Sequence, residues 1–168
     1  WSSDVCSSDL GVTGTNLEPL NQLFRNLLKN DAVPGATVAV SRDGKMLFER
    51  GFGWASVDQK TPMQPDHEMR IASISKPLTA VAILLLEADG KLSLDDRLEK
   101  FFPGFPGGGD VTVHQLLTHT SGLRSYTDKP EFMSKVTKPI EPKQLIEWFR
   151  KDPPDFKPGG GFHYNNSA

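Results

Sequence analysis

Ser73-Ile74-Ser75-Lys76-Pro77 places a hydroxyl three residues ahead of a primary amine. On a helix, positions i and i+3 share one face with Cβ atoms about 5–6 Å apart, so the two groups can meet. Pro77 is tolerated only in a helix's first turn, which predicts a helix starting between Ser73 and Lys76. Lys76 then sits at the positive end of the helix, where a cation is disfavoured. That dipole and burial both push a lysine pKa down, and a neutral amine there can take the serine proton. The chemistry implied is nucleophilic catalysis through an acylated serine. A helix with its lysine at the wrong end breaks a local rule, as functional sites often do. The spacing alone is weak, because thirteen serines and twelve lysines in 168 residues give about one such pair by chance. The bland reading is a solvated serine and lysine at a helix start.

Other chemistries are poorly supplied. A single cysteine makes neither an internal disulfide nor a cysteine-based zinc site, and the four histidines include no pair at metal-ligand spacing. No metal or other cofactor is expected. Gly107-Gly108-Gly109 and Gly159-Gly160-Gly161 are not phosphate loops, since neither leads through Lys and Ser/Thr into a helix. Adjacent Asp95 and Asp96 cannot face each other as an acid/base pair and read as loop caps. His119 reads as a structural residue holding a helix end before Gly122. The 19 basic and 21 acidic residues are spread along the chain, against a nucleic-acid surface. The longest apolar run, Ala80 to Leu86, is far short of the about 20 residues of a membrane span.

The elements that must position Ser73 and Lys76 can be read from periodicity. Asn16 to Lys29 predicts an amphipathic helix with Leu17, Leu20, Leu23, Phe24, Leu27 and Leu28 on one side. Ala36–Val40 and Lys45–Gly51 predict two strands around Arg42-Asp43-Gly44, a hairpin signal. Thr61 to Glu68 reads as a polar loop. Ser73 to Ala88 is the strongest helix, apolar nearly all round and therefore expected to be buried. Leu92 to Gly109 reads as loop. Thr112-Val113-His114-Gln115 is a capping box opening a short helix with Gly122 as its stop. Ser125 to Pro139 reads as a polar connection, and Glu141 to Lys151 as a helix with Leu145, Ile146, Trp148 and Phe149 inward. One hairpin followed by a helical stretch is an α+β pattern.

Residues 1–10 have neither helical nor strand period, nor the basic start and apolar core of a signal peptide. They resemble the translation of a common sequencing adapter. On that reading Cys6 is foreign, 19 acidic residues face 19 basic ones, and residues 11–168 are the N-terminal part of one domain.

Arg70-Ile71-Ala72-Ser73-Ile74-Ser75-Lys76-Pro77-Leu78-Thr79-Ala80 closely resembles the active-site segment of the serine β-lactamase and penicillin-binding-protein superfamily, in its class C β-lactamase, DD-peptidase and esterase branch. Val33-Pro34-Gly35, Arg42-Asp43-Gly44-Lys45, Gly90-Lys91-Leu92-Ser93-Leu94, Leu116-Leu117-Thr118-His119-Thr120-Ser121-Gly122-Leu123 and Tyr164-Asn165-Asn166 follow in the family's order. The resemblance implies an α+β, β-lactamase/transpeptidase-like fold, with an antiparallel sheet, a helical region and a C-terminal part beyond Ala168. It implies Ser73 as acylated nucleophile, Lys76 as its proton partner, Tyr164 as second acid/base and Asn166 as a ligand of the substrate amide and of Lys76. The substrate class is an amide or ester: a β-lactam, a D-alanyl peptide or a small ester. The alternative is a non-catalytic binding or regulatory protein on the same fold. The family further suggests a periplasmic or secreted location. A strand beyond Ala168 would supply one oxyanion-hole donor beside the Ser73 N–H. This chain alone is therefore expected to be inactive and poorly folded, with Leu23, Phe24, Leu27 and the hairpin's inner face short of cover.

Overall fold

The computed structural model describes residues 10–13 and 17–168; the remainder of the adapter-like decapeptide, Cys6 included, lies outside the described residues. The chain forms two compact units that divide between Ile71 and Ala72.

In the first unit, strand β1 (Leu10–Thr13) is followed by helix α1 (Glu18–Asn30) and strands β2 (Gly35–Arg42), β3 (Lys45–Ser56) and β4 (Thr61–Pro62). The sheet is antiparallel, with β3 central between β1 and β2 and β4 paired to the end of β3. The predicted hairpin forms at the predicted place. Arg42 opposes Lys45, and Asp43 and Gly44 both take positive φ (51° and 72°), as a two-residue turn matched to strand twist requires. Both strands outrun the prediction: β3 runs on through Gly51 and Gly53, which pair with Thr37 and Gly35, and β2 continues to the turn, where Ser41 and Arg42 pair with Met46 and Lys45. The expected loop from Thr61 begins as a strand, Pro62 opposing Trp54.

Phe48 and Phe52 project from one face of β3 and are fully buried. Leu28, Leu20 and Phe24 of α1 pack over them, the Phe24 and Phe52 rings 5.6 Å apart. The hairpin's inner face is therefore covered, against expectation: α1 does what strands were expected to do. Leu23 and Leu27 do stay exposed, at the margin of the apolar stripe of α1. Buried Asn21 is satisfied by Arg50 Nη1 at 3.0 Å and by donating to Glu18 Oε2 at 2.8 Å.

The second unit is helical. It holds a 3-10 turn (Ala72–Ile74) running into α2 (Ser75–Ala88), then α3 (Leu98–Phe101), α4 (Val113–Leu117), a 3-10 turn (Tyr126–Asp128), α5 (Phe132–Lys135) and α6 (Pro142–Phe149). Its core is Leu98, Phe105, Val111 and Phe149, with Leu116, Leu123, Tyr126, Leu145 and Ile146 packed against it. The segment read as loop thus contains α3 and two core residues. The capping box forms as predicted: Gln115 N–H donates to Thr112 Oγ1 at 3.1 Å, and Thr112 N–H to Gln115 Oε1 at 2.9 Å. Asp96 caps its loop by accepting from Ser93 N–H and Lys100 Nζ.

Two expectations fail here. Helix α4 ends at Leu117, not near Gly122, because His119 enters the left-handed region (φ 58°) and turns the chain. Gly122 instead lies where another segment crosses; a Cβ there would stand 2.0 Å from the Phe156 carbonyl oxygen. Helix α2 contains no buried residue, and Leu78 and Leu85 are each 63% exposed. Its composition calls for burial, but burial depends on what packs against it. An open cleft of about 570 Å³ lies along it, lined by Ile83, Leu86, Phe101, Phe102 and Leu116, with Lys76 and His119 also on its wall.

Candidate active site

Ser73 lies in the 3-10 turn and is exposed, just after Ala72, whose φ is +44°. Lys76 is the second residue of α2, half-buried, with Pro77 third, so proline stands in the first turn as its missing N–H demands. The i, i+3 spacing brings Lys76 Nζ to 3.3 Å from Ser73 Oγ. The premise of a buried helix around Lys76 is not met, since α2 is open along its length.

The segment Phe162–Ala168 returns across the start of α2. The Tyr164 hydroxyl donates to Ser73 Oγ at 2.6 Å, a contact spanning 91 residues of sequence. Lys76 Nζ stands 4.8 Å from the centre of the Tyr164 ring and donates to Asn166 Oδ1 at 2.7 Å. The Asn166 amide is oriented by its other end, where Nδ2 donates to Thr127 Oγ1 at 3.0 Å; only its oxygen can then face the ammonium. Ser73, Lys76, Tyr164 and Asn166, the four residues singled out from sequence, thus form one contiguous hydrogen-bonded cluster. Tyr164 is held below the ordinary phenol pKa, first by its interaction with Lys76 and then by the Ser73 hydrogen bond, with burial opposing both.

Several residues that support the cluster were not legible in sequence. Asn165 is buried between Tyr164 and Asn166; its side-chain amide donates to the Leu123 carbonyl, and its Oδ1 accepts from Ser167 N–H and Ala168 N–H. Ser125, also buried, accepts from Asn166 N–H at 3.2 Å and bonds Thr127. Tyr126 N–H donates to Ser167 Oγ. The stretch read as a polar connection is therefore the clamp of the site. Its own footing is Lys129, which reaches both oxygens of Asp152 (2.7 and 2.5 Å) and the Trp148 carbonyl. His119 closes the end of α4 as read: its N–H donates to the Leu116 carbonyl at 3.3 Å, and the next N–H, of Thr120, reaches the Gln115 carbonyl at 2.9 Å. Its ring lies under Tyr164, the ring centres 4.8 Å apart.

Among the described residues no group of three or more His, Cys, Asp or Glu is placed to hold a metal ion, and no helix is long and apolar enough to cross a membrane.

Residues 20–168 match the family model described as Beta-lactamase. The chain belongs to this family. A stretch covering 64% of it is 40% identical over 107 residues to penicillin-binding protein 4* of Bacillus subtilis, of which it spans 23%. D-amino acid amidase from Ochrobactrum anthropi, complexed with L-phenylalanine, superposes with a TM-score of 0.73 at 28% identity, over 88% of this chain and 41% of that one. A class C β-lactamase in complex with cefoxitin superposes with a TM-score of 0.71 at 26% identity, over 89% of this chain and 40% of that one. The fold is β-lactamase/transpeptidase-like, helices with an antiparallel sheet, and the chain spans well under half the length of these relatives.

Proposed function

We propose that this chain carries the nucleophilic half of a serine hydrolase that cleaves an amide or ester through an acyl-enzyme on Ser73. The observation that carries the reading is the meeting of two groups at one oxygen: Ser73 Oγ accepts from Tyr164 at 2.6 Å and from Lys76 at 3.3 Å. With one proton removed from the Lys76–Tyr164 pair, that pair becomes the base. Either a neutral Lys76 or a Tyr164 phenolate beside an ammonium serves, and the lowered phenol pKa favours the second.

In acylation, Ser73 Oγ attacks the substrate carbonyl carbon while its proton passes to the pair. The bond to the leaving nitrogen or oxygen then breaks, and the pair returns the proton to that atom. In deacylation, water attacks the ester carbon, gives its proton to the pair, and Ser73 Oγ leaves and recovers a proton. Ser73 lies in the turn that leads into α2, at the positive end of the helix, where a developing oxyanion is favoured. Asn166 holds Lys76 in reach and presents its amide beside it. The relatives named above, which include a D-amino acid amidase and a β-lactamase holding cefoxitin, support a β-lactam or a D-amino-acid amide or peptide as substrate, and the sequence resemblance adds a small ester. A periplasmic or secreted location belongs to the same proposal.

Treatment of the full-length protein with a fluorophosphonate or a penicillin, followed by peptide mass spectrometry, tests it. An adduct on the peptide carrying Ser73, absent in Ser73→Ala, is expected. No adduct with any acylating probe would make the protein a non-catalytic binder on this fold.

A further inference from the structure

We propose that His119 is the positioning residue of Tyr164, and that it grips the tyrosine only while its Nδ1 is unprotonated. The backbone N–H groups on either side of Tyr164 both end on this one residue. His163 N–H donates to the His119 carbonyl at 3.0 Å, and Asn165 N–H donates to His119 Nδ1 at 3.3 Å. The imidazole also packs against the Tyr164 ring at 4.8 Å and edge-on to Phe162 at 6.1 Å. Four successive residues of the return segment are thus held by a histidine 43 to 46 positions earlier.

The backbone of His119 is part of the device. Its φ of +58° is that of the residue just past a helix end, where its N–H bonds the Leu116 carbonyl and the Thr120 N–H bonds the Gln115 carbonyl, and from there its own carbonyl and ring both reach the passing segment.

An N–H donor requires a lone pair at Nδ1, so the grip fixes the tautomer: the proton sits on Nε2. Protonating the ring removes that lone pair and turns an acceptor into a donor facing a donor. The charged and titratable groups around it are Lys76 of α2, Tyr164 itself, and His163 of the return segment, whose Nδ1 bonds Asp155 and whose Nε2 lies 4.0 Å from Asp128. The His119 pKa lies below the ordinary imidazole value, through burial first and then Lys76. The sign follows: the grip is complete above about pH 6.5 and is lost as pH falls through the lower, folded-state value. If Tyr164 serves Ser73 as proposed above, the grip tunes that reaction; the grip itself does not depend on it.

Imidazole and amide NMR of the ¹⁵N-labelled chain tests both parts. Expected at pH 8 is the Nε2–H tautomer of His119, and on acidification an Asn165 amide resonance that titrates together with the His119 ring. His119→Asn is the companion variant. Asparagine tolerates positive φ, places an oxygen where Nδ1 stood and takes no proton, so the Asn165 amide should hold its shift across the same range. A proton on Nδ1 at pH 8, or an Asn165 amide that titrates identically in His119→Asn, overturns the proposal. Fluorophosphonate labelling of the full-length protein against pH adds a second arm: the acid limb of Ser73 labelling should lie at lower pH in His119→Asn, and an unmoved limb severs the link to Tyr164. Absence of labelling at every pH sinks the hydrolase reading and leaves the NMR result to decide the grip.

Discussion

At the scale of single residues, Lys76 is asked to do what no other cation can. Arginine keeps the charge near Tyr164 and Asn166 but stays protonated and cannot share a proton with Ser73. Lys76→Arg should slow Ser73 labelling by about 10²–10⁴-fold, the usual loss on removing a general base. Labelling within a few-fold of the parent would remove Lys76 from proton transfer. The same contact has a spectroscopic consequence independent of turnover. Tyrosinate absorbance should show one of the two tyrosines ionising below its ordinary pKa of 10.0. Lys76→Met should return that transition upward, because the first cause of the shift is gone. The lowered phenol pKa contributes stability that is complete above pH 10 and is lost as pH falls through the lowered, folded-state value. A low transition that persists in Lys76→Met would place its cause elsewhere. Ser73, Lys76, Tyr164 and Asn166 were legible in sequence because helix spacing and an ordered set of motifs mark them. Asn165, Ser125, Thr127 and His119 were not. Their bonds span 39 to 46 residues, and neither periodicity nor spacing carries information over that distance.

At the scale of elements, local signals succeeded where the partner is also local. The Asp43-Gly44 turn and the Thr112–Gln115 box each close within four residues, and both form as read. Pro77 set the start of α2 for the same reason. The failures are elements whose form depends on distant partners: β4 exists because Thr61 and Pro62 meet the end of β3, and α3 because Leu98 and Phe105 find Val111 and Phe149. Helix α4 is only Val113–Leu117, too short to be stable alone, so its cap should matter measurably. Thr112→Ala removes the acceptor for Gln115 N–H, a loss of about 0.5–2 kcal/mol. Hydrogen exchange at residues 115–117 should quicken by about two- to thirty-fold, with the amides of β2 and β3 unaffected. Unchanged protection in α4 would mean that its core contacts alone hold it.

At the scale of the whole molecule, the weak place is not where the sequence suggested. The hairpin was expected to lack cover, yet Phe48 and Phe52 are sealed beneath α1. The unsatisfied apolar surface belongs to α2: Leu78, Val81, Leu84 and Leu85 are all exposed, and the cleft beside them is walled by Phe101 and Phe102. A contiguous patch of that kind on a free chain drives association. The chain on its own should therefore bind an apolar dye at low temperature and self-associate with rising concentration. The polar cluster at Ser73 is held by hydrogen bonds to Asn166, Ser125 and Thr127, so the two properties should separate. Leu78→Glu with Leu85→Lys removes two of the exposed leucines while placing each charge at the helix end that favours it. Because both positions are 63% exposed, each change should alter stability by no more than about 0.5 kcal/mol. Dye binding and association, followed by fluorescence and sedimentation, should fall in the double variant, while the low tyrosine ionisation assigned to Tyr164 stays where it was. If instead the parent chain is monomeric and dye-free, the face of α2 is covered in solution. The exposure that distinguishes this helix from its sequence-based reading would then be wrong.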